Sequence, residues 1–520
     1  MFLSANGYRE SLRRYRPRVF VNGQQVDSVA DEPQLAPGVS AIGVTYDFAL
    51  RPELRRLMVA KDPVTGRETN RMLHINGETG DLLYKLEAVR VLCRESGCAQ
   101  RYLVHDALNA IFQSTHRIDA EHGAEYHGRL RAYLDRVQAE DLTCAVAMTD
   151  GKGDRALRPH AQTNRDSYVH IRERRTDGIV IRGTKAIVTG APYVHEFLVM
   201  PCRSMTAEDQ DFAVCCAVPV DADGITIISR PAGRPGVAAA KFSARYGQSV
   251  AVVHFDDVLV PWERVFLAGE WDHAQFLTTT YANHHRHSCI AARAGFGDLL
   301  IGAGVHMADI NGVGPQSVHH IRDAIVDLIK IVEGFFACGV AASVYGVADP
   351  AGNVMPEPVF ANVGKLLLST QIYDMQRLAH TVSGGLVVAL PTPDEDHNPA
   401  AAGDLMATLA GRGDVPQAHR AEVARLMEDL TASDTAGWYS VISLHGGGSP
   451  EAMKREIYRN YPVQERVALI DALVERGVTG DGSGEASRDR QPGRCCPVGC
   501  AEPEHHRSPP SPRHKPLAAE

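Results

Sequence analysis

The sequence predicts an α+β fold in which a small β-sandwich or barrel is clamped between two helical domains. Three observations predict it. Apolar residues recur at three- and four-residue spacing from about 1 to 142 and again from about 269 to 475, as amphipathic helices require. Between them, from about 143 to 268, the period drops to two and Asp-Gly and Pro punctuate the runs. A chain of 520 residues also exceeds what one hydrophobic core normally serves, so several packed domains are expected.

The N-terminal domain opens on "GYRESLRRYR" and closes on "YHGRLRAYLDRVQAEDL". Its centre, "DLLYKLEAVRVLCRESGCAQRYLVHDALNAIFQ", reads as a long helical run with a glycine break. Within it, residues 96–112 keep Tyr102, Leu103, Ala107, Ala110 and Ile111 on an apolar face. On this reading Cys98 and Tyr102 share one face of that helix. Two cysteines at this spacing can hold a metal or an iron–sulfur cluster, but the second position is a phenol. Cys93, five residues before Cys98, points elsewhere around the helix.

In the middle domain, "SYVHIRERRTDGIVIRGTKAIVTGA" reads as a hairpin turning at Thr176-Asp177-Gly178. Cys215 and Cys216 sit in a strand-like run as buried thiols. Just before the strands, "AMTDGKGDRALRPHAQ" gathers Thr149, Lys152, Arg155 and Arg158 around two glycines. Glycines let backbone N–H groups approach an anion and the cations balance its charge, although the same composition suits a solvated turn.

The C-terminal domain holds "YANHHRHSCIAARAGFGDLLIGAG", with three histidines in four residues and then Arg293. His285 and Cys289, four apart, share a face. Two Gly-rich turns, "HTVSGGLVVALP" and "SLHGGGSPEA", suit backbone contact with a phosphate or a ring. From about 476 the chain is rich in Gly, Pro, Ser and Arg and is expected to be disordered. That tail carries Cys495, Cys496, Cys500, His505 and His506, a spacing that matches no zinc pattern.

The bulk numbers exclude several classes. A net charge of −9 leaves no basic excess for nucleic acid or an anionic membrane. No signal peptide, no transmembrane run and no disulfide framework are expected among the 11 cysteines, which places the chain in the cytoplasm.

Taken together, "AMTDGKGDR", "DGIVIRGTKAIVTGA", "FDDVLVPWERVF" and "HHRHSCIAARAGFGD" resemble the flavoprotein family that unites 4-hydroxyphenylacetate 3-hydroxylases with 4-hydroxybutyryl-CoA dehydratases. The resemblance implies an acyl-CoA dehydrogenase-like fold with a flavin-binding middle domain and a homotetramer or homodimer. It places Met148, Thr149, Lys152 and Arg155 against FAD and Thr189 at its reactive edge. Ser383, Gly384 and Gly385 would touch the cofactor across a subunit boundary.

In detail the chain is more similar to the dehydratases, which hold an iron–sulfur cluster with three cysteines and a histidine. Cys98 matches the first cysteine and His285 the histidine, but Tyr102 and Ala292 stand at the other two cysteine positions. A cluster is therefore not expected. Arg293 stands where the dehydratases carry a lysine, and Cys289 where they carry a tyrosine. Ser249 and Ile442 stand where they carry glutamates.

What is left implies a flavin with a pocket bearing His285, Tyr102, Arg101 and Arg293. The preferred expectation is a monooxygenase that uses reduced FAD and O2 on an aromatic or other electron-rich small molecule, served by a separate NAD(P)H:flavin reductase. The alternatives are an acyl-CoA isomerase or dehydratase-like enzyme with His285 as base, and a catalytically silent flavin fold.

Overall fold

Two sheets sit between two sets of helices, in the order helical, β, helical that the hydrophobic periods predict. The structure is a computed structural model, and it describes residues 2–62, 66–98, 100–400 and 407–478. The first helical set comprises α1 (Ala5–Leu12), α2 (Ala36–Leu50), α3 (Arg55–Met58), α4 (Thr79–Ser96), α5 (Tyr102–His122) and α6 (Tyr126–Ala139).

The first sheet has six strands, β1 (Val19–Val21), β2 (Gln24–Gln25), β6 (His170–Arg174), β7 (Gly178–Thr189), β10 (Ile225–Ser229) and β11 (Val250–Pro261). A short hairpin of β3 (Val59–Lys61) and β4 (Glu68–Asn70) lies within the first helical set. The second sheet has β5 (Cys144–Ala147), β8 (Glu196–Val199), β9 (Val214–Pro219) and β12 (Val265–Ala268). β6 and β7 form the expected hairpin, with the Arg175 N–H donating to the Gly178 carbonyl at 2.8 Å.

One strand comes from outside the β region of the sequence. β1, from the stretch expected to be helical, pairs parallel with β10 at Val19–Ile227 and Val21–Ser229. A three-residue strand is too short for its period to show; what holds it is the free edge of β10 and the burial of Val19 and Val21.

The C-terminal helices are α7 (Ala274–Ile310), α8 (His319–Val344), α9 (Pro358–Ser383), α10 (Leu386–Ala389), α11 (Gln417–Thr431), α12 (Asp434–His445) and α13 (Pro450–Asn460). The 37-residue α7 is the hub, packed against α4, α5, α8 and α9. By length and composition it could cross a membrane, contrary to the sequence expectation, yet 67% of its most apolar stretch is buried among those helices. Ile290, Phe296 and Leu300 are fully buried, each contributing about 1.5–3 kcal/mol. Gly295 permits the close crossing with α4, because a Cβ there would meet the Arg90 carbonyl at 2.4 Å.

Residues 1–461 form one compact unit, so the three expected domains share packing rather than standing apart. The second unit begins at Pro462 and contains α14 (Val463–Val478). The tail from 479, with its cysteines and histidines, lies outside the described residues.

A buried polar site between α5 and α7

Two i, i+4 stripes face each other across the α5–α7 interface. α7 contributes Tyr281, His285, Cys289 and Arg293; α5 contributes Tyr102 and Asp106. The expected helix over 96–112 is interrupted here. α4 ends at Gly97, φ 67°, and α5 begins at Tyr102, so Cys98 lies in the intervening turn. The turn still brings Cys98 Sγ to 3.5 Å from the Tyr102 hydroxyl. Cys93 belongs to α4.

His285 is held at both ring nitrogens. Its Nδ1–H donates to Asp106 Oδ2 at 3.2 Å, and Nε2 meets Cys289 Sγ at 3.5 Å. Tyr281 and Tyr102 stack on either side at 5.4 and 6.2 Å between centroids. Asp106 also accepts from Ser288 Oγ at 2.6 Å, and Lys85 Nζ lies 3.5 Å from it.

A nucleophile, an imidazole and an orienting carboxylate in a line is the arrangement that activates thiols. Its electrostatics follow from burial and charge. Burial pushes the Cys289 thiol up, but His285, Lys365 and Arg293 pull it down further and hold it below its ordinary value. Burial pushes His285 down, but Cys289 and Asp106 raise it to about 9. Burial likewise depresses Lys365 to about 8, opposed by Cys289. The Tyr102 phenol is raised well above its ordinary value by burial and then by Cys98 and Cys289, so it stays neutral.

The Gly-rich turn after α12 closes one side. Gly447, φ 77°, lies so near that a Cβ would sit 3.5 Å from His285 Cδ2, and its carbonyl accepts from Arg286 Nε at 2.9 Å. Arg293 is buried. Its Nε donates to Ser443 Oγ at 2.5 Å, its guanidinium carbon lies 5.0 Å from the Tyr439 ring centroid, and Nη1 has no partner.

Other expected members go elsewhere. Arg101 turns away from the pocket: it stacks on Tyr46 at 4.1 Å and donates to the Asp141 and Leu142 carbonyls. His284 and His287 are structural, with His284 Nε2 on Gln113 Oε1 at 3.1 Å and His287 Nε2 on Ser343 Oγ at 2.7 Å. Asp106, Lys85, Lys365 and Tyr281 were not singled out from the sequence. Their signal is faint: a lone charge or phenol spaced by four on an otherwise apolar helix.

Thr189 ends β7, half-buried, paired with Val250 of β11. Beside it the Ser249 N–H donates to the Tyr193 hydroxyl at 2.9 Å, which donates to Gln100 Oε1 at 3.2 Å. The strand ends are thereby tied to the turn holding Cys98, and the buried Ser249 Oγ and Gln248 Oε1 have no partner.

The loop with Met148, Thr149, Lys152 and Arg155 is anchored at its base by the buried pair Lys185–Asp150, 2.8 Å. Lys185 Nζ also donates to the Met148 carbonyl at 2.9 Å. Lys152 holds a left-handed φ of 69°, and among the described residues neither it nor Arg155 has an ion-pair partner. Arg158 is committed to Asp209 at 2.6 Å and leaves the set. Two unpaired cations beside a glycine-rich backbone fit the diphosphate of FAD, and the unsatisfied donors and acceptors near Thr189 fit its ring edge.

Ser383, Gly384 and Gly385 lie at the C-terminal end of α9. Eighteen residues separate Ser383 from Lys365, about 27 Å along the helix. Within one chain they are not brought to this site.

The residues do not fit an iron–sulfur cluster. Tyr102 and Ala292 supply no soft ligand, and the phenol fills the space beside Cys98.

Residues 4–267 match the family model described as 4-hydroxyphenylacetate 3-hydroxylase N terminal, and residues 274–475 match its C terminal counterpart. The chain is 34% identical to a 4-hydroxybutyryl-CoA dehydratase/vinylacetyl-CoA-Delta-isomerase of Clostridium aminobutyricum, over 91% of this chain and 99% of that one. It is 23% identical to a 4-hydroxyphenylacetate 3-monooxygenase oxygenase component of Thermus thermophilus, over 88% and 95%. A solved structure, the oxygen-tolerant archaeal 4-hydroxybutyryl-CoA dehydratase from N. maritimus, is 35% identical with a TM-score of 0.87 over 94% and 97% of the two chains. The oxygenase component HpaB complexed with FAD is similar in fold, with a TM-score of 0.80 at 20% identity over 92% and 99%. The chain belongs to the 4-hydroxyphenylacetate 3-hydroxylase family of enzymes.

Proposed function

We propose that the protein is a flavin-dependent enzyme that moves a proton on an acyl thioester, shifting a double bond, and that it does so without an iron–sulfur cluster. The observation that carries this reading is the line Asp106–His285–Cys289, a buried base–acid pair with its orienting carboxylate. Similarity at 34–35% to proteins named as a dehydratase, one of them also an isomerase, supports the substrate class. The acyl-CoA dehydrogenase-like arrangement belongs to the same reading.

Cys289, as thiolate, takes the proton alpha to the thioester carbonyl. The unpartnered Nη1 of Arg293 steadies the negative charge that develops on that oxygen. His285, as imidazolium, returns a proton to the gamma carbon, and the Cys289 thiol re-protonates His285 across 3.5 Å. Tyr102 and Tyr281 sandwich the imidazole and exclude water. FAD, when bound against Thr189 and the Met148–Arg155 loop, supplies reversible electron uptake at the C–H bond being activated. Ser383 to Gly385 serve the cofactor of a second copy, which requires a homodimer or homotetramer. Free thiols in the site suit the reducing cytoplasm.

A second reading keeps the reduced-FAD monooxygenase with a separate NAD(P)H:flavin reductase. The neutral Tyr102 hydroxyl beside Cys98 favours it, as an orienting group for a phenolic substrate.

The test uses FAD-loaded protein with a 3-enoyl-CoA in deuterated water. Conversion to the 2-enoyl isomer with deuterium at the gamma carbon is the expected outcome. Absence of conversion, with hydroxylated phenol formed when reduced FAD and O2 are supplied, would establish the second reading. Failure to bind FAD would leave a silent fold.

A further inference from the structure

A second polar cluster lies away from the site, where α5 ends and the chain enters α7. α5 finishes on Glu121 and His122 before Gly123, and a short turn, Trp271–His273, leads into α7. His273 is 2% exposed, and its buried Nε2 faces Glu121 Oε2 at 3.2 Å without the geometry of a hydrogen bond.

Three ligand atoms gather at that point, with the Glu121 carboxylate at their flank. His273 Nε2 lies 3.2 Å from Glu121 Oε2 and 4.0 Å from Asp272 Oδ2, and His122 Nε2 lies 3.3 Å from Asp272 Oδ2. Among the described residues, the ligand atoms of His122, Asp272 and His273 are the one set of three within 4.8 Å of one another. Zinc binds imidazole nitrogen and carboxylate oxygen at roughly 2.0–2.2 Å, so the edges of its tetrahedron measure about 3.3–3.6 Å. The His122–Asp272 separation, 3.3 Å, matches such an edge, and the His273–Asp272 separation, 4.0 Å, is wider.

The other carboxylate oxygen of Glu121 accepts from Arg117 Nε at 2.8 Å, and Arg117 in turn lies over the Phe276 ring at 4.7 Å. This fixes the Glu121 carboxylate with Oε2 facing His273 Nε2. His122, Asp272 and Glu121 remain partly exposed, which gives an ion a path in.

We propose that His122, Asp272 and His273, with Glu121 at their flank, form a divalent-cation site of the kind zinc occupies, three protein ligands and a water, that pins the end of α5 to the start of α7. Those two helices carry the facing stripes of the polar site, so the ion sets their register from outside it.

The experiment uses the full chain, stripped with a chelator and titrated with Zn2+ and separately with Co2+. One equivalent should bind to a site that shows tetrahedral cobalt bands without thiolate charge transfer, and Zn2+ should raise the melting temperature. His122→Ala and Asp272→Asn, both partly exposed and tolerant of change, should each weaken that equivalent at least tenfold and abolish the Zn2+-dependent rise. His273→Ala should do the same where it folds. Binding with thiolate-to-cobalt charge transfer alone would assign the metal to cysteines and overturn the proposal. So would zinc binding and melting unaltered by both His122→Ala and Asp272→Asn.

Discussion

The buried line Asp106–His285–Cys289 and the loop from Met148 to Arg155 are both polar, but they are built in opposite ways. The loop is contiguous and half in water, and its cations Lys152 and Arg155 have no ion-pair partner among the described residues. The line is assembled from two helices, with Lys365 of α9 and Gly447 of the turn after α12 completing it, and its charges stay buried because each is paired. A charge in water needs no partner, so a loop can wait for an anionic ligand at little cost. A charge in the core must be answered by another element of the same fold, which couples chemistry to stability.

The largest test of that contrast is Asp106→Asn. It leaves Lys85 and His285 without their carboxylate, and denaturant unfolding should show a loss of about 3–5 kcal/mol. A loss under about 1 kcal/mol would mean that the line is not held by charge.

Cys289→Ala should sharpen the comparison by separating chemistry from fold. The isomerisation rate should drop by about 10²–10⁴-fold while FAD binding and cooperative unfolding persist.

The pH profile comes next. The raised His285 keeps its proton until about pH 9, so the rate should fall as pH rises through that value. The depressed Cys289 thiolate is lost as pH falls, so the acid limb should lie below the ordinary thiol value. Stopped-flow or steady-state rates across pH 5–10 would show a single sigmoid instead if only one of the pair participates.

Lys152→Ala and Arg155→Ala should have the smallest effect. Each should weaken FAD binding by roughly threefold to tenfold in a salt-dependent manner, and stability should shift by less than about 0.5 kcal/mol. A larger loss of stability would mean that the loop, too, is part of the core.

Much of the site could be read before any coordinates. His285 and Cys289 are four apart in an apolar helix, and α-helical spacing alone puts them together. Cys98 and Tyr102 come together as expected, although Gly97 breaks the helix that was to carry them. Arg101 is the instructive departure. Next to Tyr102 in sequence, it points a different way around the start of α5 and is captured by the Asp141 and Leu142 carbonyls. No local pattern reveals a partner some 40 residues away.

By itself, the sequence determined the alternation of helical and strand regions, the Asp177-Gly178 hairpin and the contiguous loop. These are set by spacing and residue type over a few turns of chain. Only the tertiary structure decided that β1 joins β10, that Asp106 stands behind His285, and that Lys365 and Arg293 hold the Cys289 thiol down. It also brought His122 to His273, 151 positions along the chain. The physical reason is the same in each case: a buried polar group must be satisfied by whatever the packing brings to it, and sequence spacing carries no record of that neighbour.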